Sequence, residues 1–331
     1  MDCFGASDIG LKRDTNEDQF LISDVCKSVR VHQTSLGLDH QTRLFGNSQG
    51  KLLMVADGMG GHESGERASQ LVLDTIIDYV LNKLDWVLHG ASQTEDSFIK
   101  QLKDSLDSCQ QRIEKESLNV PRNRKMGSTL TLVYVVWPRA FVIHVGDSRC
   151  YLLRSNKLKQ LTRDHTVAQL QSENMNIQTY RSGFELAEPK PNPMSHVLWN
   201  AIGGGSARPQ PDAMVLELEF GDTLLLCTDG MSNAVPTSRI NELLTSPRTS
   251  SAICEQLISD ANQGGGEDNI TVVVTKFLRE MSTENLIDEQ AAVSPSEADT
   301  GEFKLPLIGR SEEAQIAVAT LATVADDRSQ L

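Results

Sequence analysis

The stretch LLMVADGMGGHESGERAS, from Leu52 to Ser69, determines how the rest of the sequence is interpreted. Residues 52–56 are apolar and predict a buried strand. Asp57 follows directly, three glycines come within the next four positions, and a polar segment with helical spacing begins near Glu63. The chain therefore presents a carboxylate at the end of a strand, beside backbone that no side chain covers.

The composition is that of a globular protein. The chain has 331 residues, with 23% charged and 39% hydrophobic residues, enough for one large domain or two small ones. The net charge of -14 argues against nucleic acid as a partner, because phosphate backbones require basic surfaces. The start lacks the pattern of a signal peptide, and no apolar run reaches the about 18 residues of a membrane span. We expect a cytoplasmic protein without membrane contact.

The six cysteines form no C-x-x-C pair and lie near no histidine cluster, so a zinc site is not expected. Reduced thiols fit the expected intracellular location.

Short strands and paired helices alternate along the chain. Helical spacing of apolar residues predicts two helices, near 63–85 and 94–116, and a third, weaker one over 239–261. This mixture predicts an α+β domain built in layers, with largely antiparallel sheets. Beyond 52–56, strands are predicted at 129–137, 140–145, 149–154, 214–219, 223–228 and 269–277.

The last predicted strand, 269–277, ends the core. We therefore expect a domain over 1–278 and an acidic, largely disordered C-terminal tail over 279–331, which holds eleven acids and four bases. Within this tail, residues 314–325 are apolar enough for one short helix.

Acidic residues recur where predicted strands meet loops. One such acid is usually a turn former, but several beside glycines predict a shared site, because converging carboxylates need a cation to offset their repulsion. Oxygen ligands favour Mg²⁺ or Mn²⁺, whereas no EF-hand loop for Ca²⁺ and no nucleotide-binding glycine motif is present. The acids are Asp18 with its neighbours Asp14 and Glu17, then Asp57, Asp147, Asp229 and Asp268.

With these motifs the chain resembles the metal-dependent protein phosphatases of the PP2C (PPM) family in their bacterial form. The resemblance runs from about Cys3 to Phe277 and consists of seven motifs in order. They are SDIGLKRDTNEDQF (7–20), VADGMGGHESGERAS (55–69), GSTLTLVYV (127–135), HVGDSRCYLLR (144–154), LTRDHT (161–166), CTDGMSNAV (227–235) and GEDNITVVV (266–274).

The resemblance implies a four-layer β-sandwich, in which two antiparallel sheets are flanked by pairs of antiparallel helices. It also implies hydrolysis of phosphoserine and phosphothreonine in proteins by a metal-activated water at a binuclear Mn²⁺ or Mg²⁺ centre. Two ions that share one water lower its pKa towards about 7, so no nucleophilic side chain is needed.

The roles of individual residues follow from the same resemblance. Asp57 is expected to bridge the two ions, and the Gly58 carbonyl to bind one of them. Asp229 and Asp268 are expected to complete the other, and Asp18 to hold the first ion directly or through water.

Two further residues complete the predicted site. Asp147 corresponds to the ligand of a third, weaker ion in bacterial members. Arg13 is expected to bind the substrate phosphate, to which its planar fork is suited.

Some positions depart from the family pattern. Met59 stands where animal-type members carry a histidine, and His62, three residues on, either assists proton transfer or packs at the helix start. Glu17 stands where bacterial members often carry glutamine. The insert 26–50 is predicted to be a hairpin or loop near the site entrance, and 171–200 corresponds to the bacterial flap that gates substrates.

The alternative function is a non-catalytic regulatory module on the same fold. Phosphorylated proteins, including a Ser/Thr kinase or its phosphorylated regulators, are the expected partners of an active enzyme.

Overall fold

The computed structural model describes seven stretches of the chain, which are 1–31, 43–61, 63–84, 95–118, 126–173, 194–205 and 208–279. Several predictions lie outside these residues. They concern His62, the middle of the insert 26–50, most of the segment 171–200 and the C-terminal tail with its short helix. The division of the chain into 1–278 and 279–331 stays a prediction.

In the described residues we number twelve strands and five helices. The strands are β1 Asp2–Asp8, β2 Asp18–Arg30, β3 Arg43–Met59, β4 Gly127–Ser128, β5 Leu130–Val136, β6 Arg139–Val145, β7 Arg149–Arg154, β8 Lys157–Gln160, β9 Ile202–Gly203, β10 Asp212–Glu217, β11 Thr223–Cys227 and β12 Ile270–Lys276. The helices are α1 Glu63–Asn82, α2 Glu95–Ser117, α3 Asp229–Ser232, α4 Thr237–Thr245 and α5 Ser250–Gln263.

The strands form two antiparallel sheets. The five-stranded sheet has the order β1-β12-β11-β7-β8, and the seven-stranded sheet has the order β10-β6-β5-β3-β4-β9, with β2 paired to β3. Helices α1 and α2 pack on the outer face of the larger sheet, and α4 and α5 on the outer face of the smaller one. The predicted four-layer sandwich is confirmed.

Three apolar layers stabilise the sandwich: one between the two sheets and one between each sheet and its helices. Because side chains alternate along a strand, a central strand contributes to two of these layers. In β3, Leu52 and Met54 face the helices α1 and α2, whereas Leu53 and Val55 face the second sheet. In β11, the continuous apolar run is buried on both faces, as its sequence predicted. Burial on both faces fixes the register, because a slip of one residue would reverse every side chain.

Several elements differ from the predictions. Strands β1, β2, β4, β8 and β9 were not predicted. Strand β2 pairs with β3 from Asp18↔Asp57 to Arg30↔Arg43, so the described ends of the insert form an antiparallel pair. Strand β3 also continues past Asp57 to Met59, because Gly58 and Met59 pair with the short β4.

The single helix predicted over 239–261 is wrong in detail, since the chain forms α4 and α5 instead. Pro247 lies between them, and Thr249 begins the second helix by accepting a hydrogen bond from the Ala252 N–H at 3.3 Å. Proline and a capping threonine both interrupt a continuous helix.

None of the helices in the described stretches combines the length and the apolarity that crossing a bilayer requires.

The N-terminal cap of α5 at Thr249 can be tested by substitution. We expect Thr249→Ala to lower the free energy of unfolding by about 1 kcal/mol, because the Ala252 N–H loses its partner. Thr249→Ser keeps the hydroxyl and is the matched control. Denaturant unfolding of both variants checks this, and equal destabilisation by serine and alanine would contradict it.

Candidate metal centre

Two acids of the candidate site come from the seven-stranded sheet. Asp18 begins β2 and lies directly opposite Asp57 of β3 in the antiparallel register. Opposed side chains in such a pair are about 5 Å apart at their Cβ atoms, where like charges repel. The sheet therefore fixes two carboxylates side by side.

The five-stranded sheet supplies two more acids at the same end of the sandwich. One residue separates Asp229 from the end of β11, and one residue separates Asp268 from the start of β12. Asp57 and Asp229 are near enough to influence each other's ionisation, so the acids of the two sheets belong to one cluster. Asp147 joins them from the connection between β6 and β7, where the chain passes from one sheet to the other.

Burial and mutual repulsion disfavour the charged forms of these acids. Burial, followed by repulsion from Asp229 and Asp268, raises the pKa of Asp18 to about 7. Burial and the neighbouring carboxylates, Asp18 first among them, raise the pKa of Asp57 well above its ordinary value. The pKa of Asp229 is raised as well, first by burial and then by Asp268.

Asp147 belongs to the same electrostatic cluster. Burial and then repulsion from Asp229 and Asp164 raise its pKa to about 8, although Arg149 opposes the shift. The predicted acids therefore form one cluster, in which repulsion acts on Asp18, Asp57, Asp147 and Asp229.

The residues present fit divalent cations. One oxygen of Asp18 and one of Asp229 are buried, and neither finds a hydrogen-bond donor among the described residues. A buried anionic oxygen without a donor is costly unless a cation faces it. Carboxylate and carbonyl oxygens are the ligands that Mg²⁺ and Mn²⁺ prefer.

The acids do not, however, close into a cage. In the described part of the chain, no three His, Cys, Asp or Glu side chains surround a common point closely enough to hold an ion. Asp268 instead pairs with Arg13, whose guanidinium donates to its Oδ2 at 2.6 Å.

Gly58 and Gly65 allow the backbone to come close to the acids. A Cβ at Gly58 would overlap the carbonyl oxygen of Gly65 and lie 2.7 Å from that of Glu17. A Cβ at Gly65 would likewise overlap the Glu17 carboxylate and lie 3.0 Å from the Gly58 carbonyl oxygen. The N-terminal turn of α1 therefore packs against this carbonyl only because both residues are glycines.

Hydroxyl and amide groups that the sequence analysis did not single out position the acids. The Thr228 hydroxyl donates to Asp18 Oδ2 at 2.8 Å and so ties the two sheets together. The Asp57 N–H donates to Thr129 Oγ1 at 2.9 Å, and this hydroxyl is also bonded to Ser148 at 2.7 Å. Thr228 directly precedes a predicted acid, and that adjacency was the one available signal.

Asn269 holds the loop that carries Arg13. Its side-chain Oδ1 accepts from the Glu17 N–H at 2.8 Å, and its Nδ2 donates to the carbonyls of Ile9 and Thr15, each at 2.9 Å. The side chain of Arg13 is 50% exposed, so part of its guanidinium faces solvent at the edge of the acid cluster.

Comparisons with known proteins agree with this architecture. The protein phosphatase 2C family profile matches residues 35–263, a range that excludes Arg13, Asp18 and Asp268. The serine/threonine phosphatase stp of Listeria monocytogenes serotype 4b (strain F2365) is 33% identical over 226 residues, which are 68% of this chain and 84% of that protein.

Two solved structures are similar in fold. A crystal structure of the Mycobacterium tuberculosis serine/threonine phosphatase PstP/Ppp has a TM-score of 0.62 and 29% identity, and the match covers 84% of this chain and 98% of that one. A structure of the PstP catalytic domain in complex with two manganese ions has a TM-score of 0.58 and 28% identity, with the same coverage. The predicted resemblance is confirmed, and the chain belongs to the protein phosphatase 2C family.

Proposed function

We propose that the acid cluster described above holds the divalent ions with which this chain hydrolyses phosphoserine and phosphothreonine in proteins. As a member of its family, the chain is a metal-dependent protein serine/threonine phosphatase. The observation that supports the assignment to this cluster is the pair of buried oxygens, on Asp18 and Asp229, that lack a donor among the described residues.

In this proposal Asp57 would be a ligand shared by two ions. The carbonyl of Gly58 and the carboxylate of Asp18, directly or through water, serve the first ion, and Asp229 and Asp268 serve the second. When bound, the ions supply an acidified water as the nucleophile and positive charge against the phosphate. Because the rigid ends of both sheets carry these ligands, their oxygens need little reorganisation.

Arg13 is proposed to bind the phosphate of the substrate. Its ion pair with Asp268 places the guanidinium beside the ligands and leaves half of the side chain exposed. If Asp268 serves as a metal ligand, the Arg13 guanidinium would be free to donate to phosphate oxygens. Asp147 is proposed to hold a third ion, beside Asp229.

Phosphorylated proteins are the substrates. We propose that a Ser/Thr kinase or its phosphorylated regulators supply them, since a phosphatase of this specificity reverses such a kinase. We expect the reaction in the cytoplasm and without contact to nucleic acid, for which the charge of -14 is unsuited.

Replacing Asp57 tests the site. We expect Asp57→Asn to lower Mn²⁺-dependent hydrolysis of a phosphothreonine peptide about a thousandfold or more, because the bridging charge that retains the ions is lost. Asp24→Asn, in the middle of the same strand pair and exposed in an ion pair with Lys51, is the matched control. Full activity of Asp57→Asn, or of the wild type in excess EDTA, would refute the proposal. A folded wild type that binds no Mn²⁺ and hydrolyses nothing would indicate a regulatory module instead.

Replacing Arg13 separates substrate binding from metal binding. We expect Arg13→Ala to reduce kcat/KM for the phosphopeptide about 10- to 100-fold, the range for a lost charged hydrogen bond. Mn²⁺ affinity, measured by calorimetry, should not fall, because Asp268 loses a competing cation. Arg13→Lys restores the charge without the fork and should recover only part of the loss. An unchanged kcat/KM in Arg13→Ala would contradict the phosphate role.

The raised pKa values predict how metal-free stability depends on pH. A folded acid with a raised pKa retains its proton longer than the unfolded chain does, so stability falls as pH rises through about 7–8. Burial lowers the pKa of His144 to about 4 and also lowers the pKa of His165. These two histidines make stability rise with pH, but only below about pH 6.5, where the unfolded chain binds the extra protons.

We therefore expect the Tm of the wild type in EDTA to fall between pH 6.5 and 8.5. Asp57→Asn should melt about 2–5 °C higher than the wild type at pH 8.5, the shift that roughly 1–2 kcal/mol produces in a domain of this size. Thermal unfolding followed by circular dichroism measures both. A lower Tm for Asp57→Asn at pH 8.5 would show that the cluster is not under electrostatic strain.

A further inference from the structure

The motif LTRDHT (161–166) contains a histidine that the proposed function does not use. The side chain of His165 has no solvent exposure. It lies against the turn Gly146-Asp147-Ser148, which joins the two sheets and carries the acid proposed for the third ion. Asp164, the preceding residue, is ion-paired to Arg149 at 2.6 Å, so the motif is anchored next to this turn.

His165 binds both polar backbone groups of Gly146. The His165 N–H donates to the Gly146 carbonyl at 2.7 Å, and the Gly146 N–H donates to Nδ1 of the imidazole at 3.1 Å. One residue therefore determines how the peptide planes on either side of Gly146 are oriented. Asp147 is the next residue, and its side chain leaves the backbone in the direction that these planes set.

The surrounding donors fix the tautomer of His165. Asn200 donates from Nδ2 to the same Nδ1 at 2.9 Å, and its amide orientation is set because it also pairs with both backbone groups of Gln210. Two donors converge on Nδ1, so that atom carries no proton, and Nε2–H donates to Asp212 Oδ2 at 3.2 Å. Burial lowers the pKa of the ring, which keeps it neutral.

Gly146 offers the turn no side-chain anchor of its own. Its φ is +111°, and a Cβ there would lie 2.5 Å from Thr129 Cγ2, so glycine is required. Thr129 is the residue whose Oγ1 accepts from the Asp57 N–H. The turn therefore packs between His165 on one side and Thr129, which bonds to Asp57, on the other.

We propose that His165, as the Nε2–H tautomer, is a positioning residue that fixes Gly146 and thereby holds Asp147 in place to bind the third ion. The inference rests on the ligand role given to Asp147 under the proposed function. His165 itself does not contact the substrate or the ions in this account. The simpler reading is a histidine that only fills the core.

Asparagine and glutamine distinguish the two readings. Asparagine places an acceptor oxygen where Nδ1 lies, so His165→Asn can still accept from Gly146. Glutamine fills more of the volume but carries its polar atoms farther out, near the position of Nε2. A positioning role therefore predicts that asparagine is the better replacement, whereas a core-filling role predicts glutamine.

The experiment has two readouts on the full chain. Amide exchange of Gly146, followed by NMR on metal-free protein labelled at glycine, reports the hydrogen bond itself. The Mn²⁺ concentration dependence of phosphopeptide hydrolysis reports its consequence. Asp212→Asn, which keeps an acceptor for Nε2–H, is the matched control, and thermal unfolding verifies that each variant folds.

We expect His165→Gln to speed Gly146 exchange and to raise the Mn²⁺ concentration for half-maximal activity, each about tenfold, the effect of one lost buried hydrogen bond. His165→Asn and Asp212→Asn should stay within about threefold of the wild type. Equal behaviour of His165→Asn and His165→Gln, or an unchanged Mn²⁺ requirement in His165→Gln, would overturn the inference.

Asn200→Asp provides the test if both His165 variants fail to fold. It keeps the imidazole but places an acceptor against Nδ1, which favours the Nδ1–H tautomer and removes the acceptor for Gly146. We expect the same two changes as in His165→Gln, and wild-type behaviour would overturn the inference.

Asp147→Ala separates the inference from the proposed function. If it leaves the Mn²⁺ requirement unchanged, the ligand role of Asp147 is wrong, whatever the His165 variants do. If Asp147→Ala raises the requirement but His165→Gln does not, only the positioning role of His165 is refuted.

Discussion

Buried and half-buried carboxylates that lie near one another repel, and this repulsion is the constraint on which the rest of the structure depends. Asp18 and Asp57 are opposed across one sheet, and Asp229 repels Asp57 from the other. An isolated loop would relax by moving such groups into water. Here Asp57 and Asp229 stand near the ends of strands β3 and β11, whose interiors are packed on both faces, so they cannot withdraw.

The four-layer sandwich suits this task because its two sheets bring separate parts of the chain to one end. Hydrogen bonds across the sheets then set the separations, as the Thr228 hydroxyl does for Asp18 and the Asn269 amide does for the loop of Arg13. The resulting cluster is unfavourable without cations at neutral pH. The acids that the function requires therefore destabilise the metal-free fold, and binding of ions would offset this destabilisation.

Much of this could be predicted from the sequence. The apolar runs at 223–228 and 269–277 gave their strands nearly to the residue, and glycines beside acids indicated the site. Strand β1 was missed because DCFGASD is neither apolar nor cleanly alternating; its half-buried position comes from pairing with β12. The break between α4 and α5 is indicated in the sequence only by Pro247, which ends a helix, and Thr249, which caps the next one. The hydroxyl and imidazole contacts are long-range, as with Thr228 and Asp18, 210 residues apart. Local patterns do not contain them.

Central to the proposed function is the sharing of divalent ions by carboxylates from both sheets at this end of the sandwich. Anomalous diffraction at the manganese edge from crystals grown with Mn²⁺ tests it most directly. We expect two strong anomalous peaks, one for each ion, with Asp57 within ligand distance of both. Asp229 and Asp268 should lie at one peak and the Gly58 carbonyl at the other. Well-ordered crystals without an anomalous peak between Asp57 and Asp229 would contradict it.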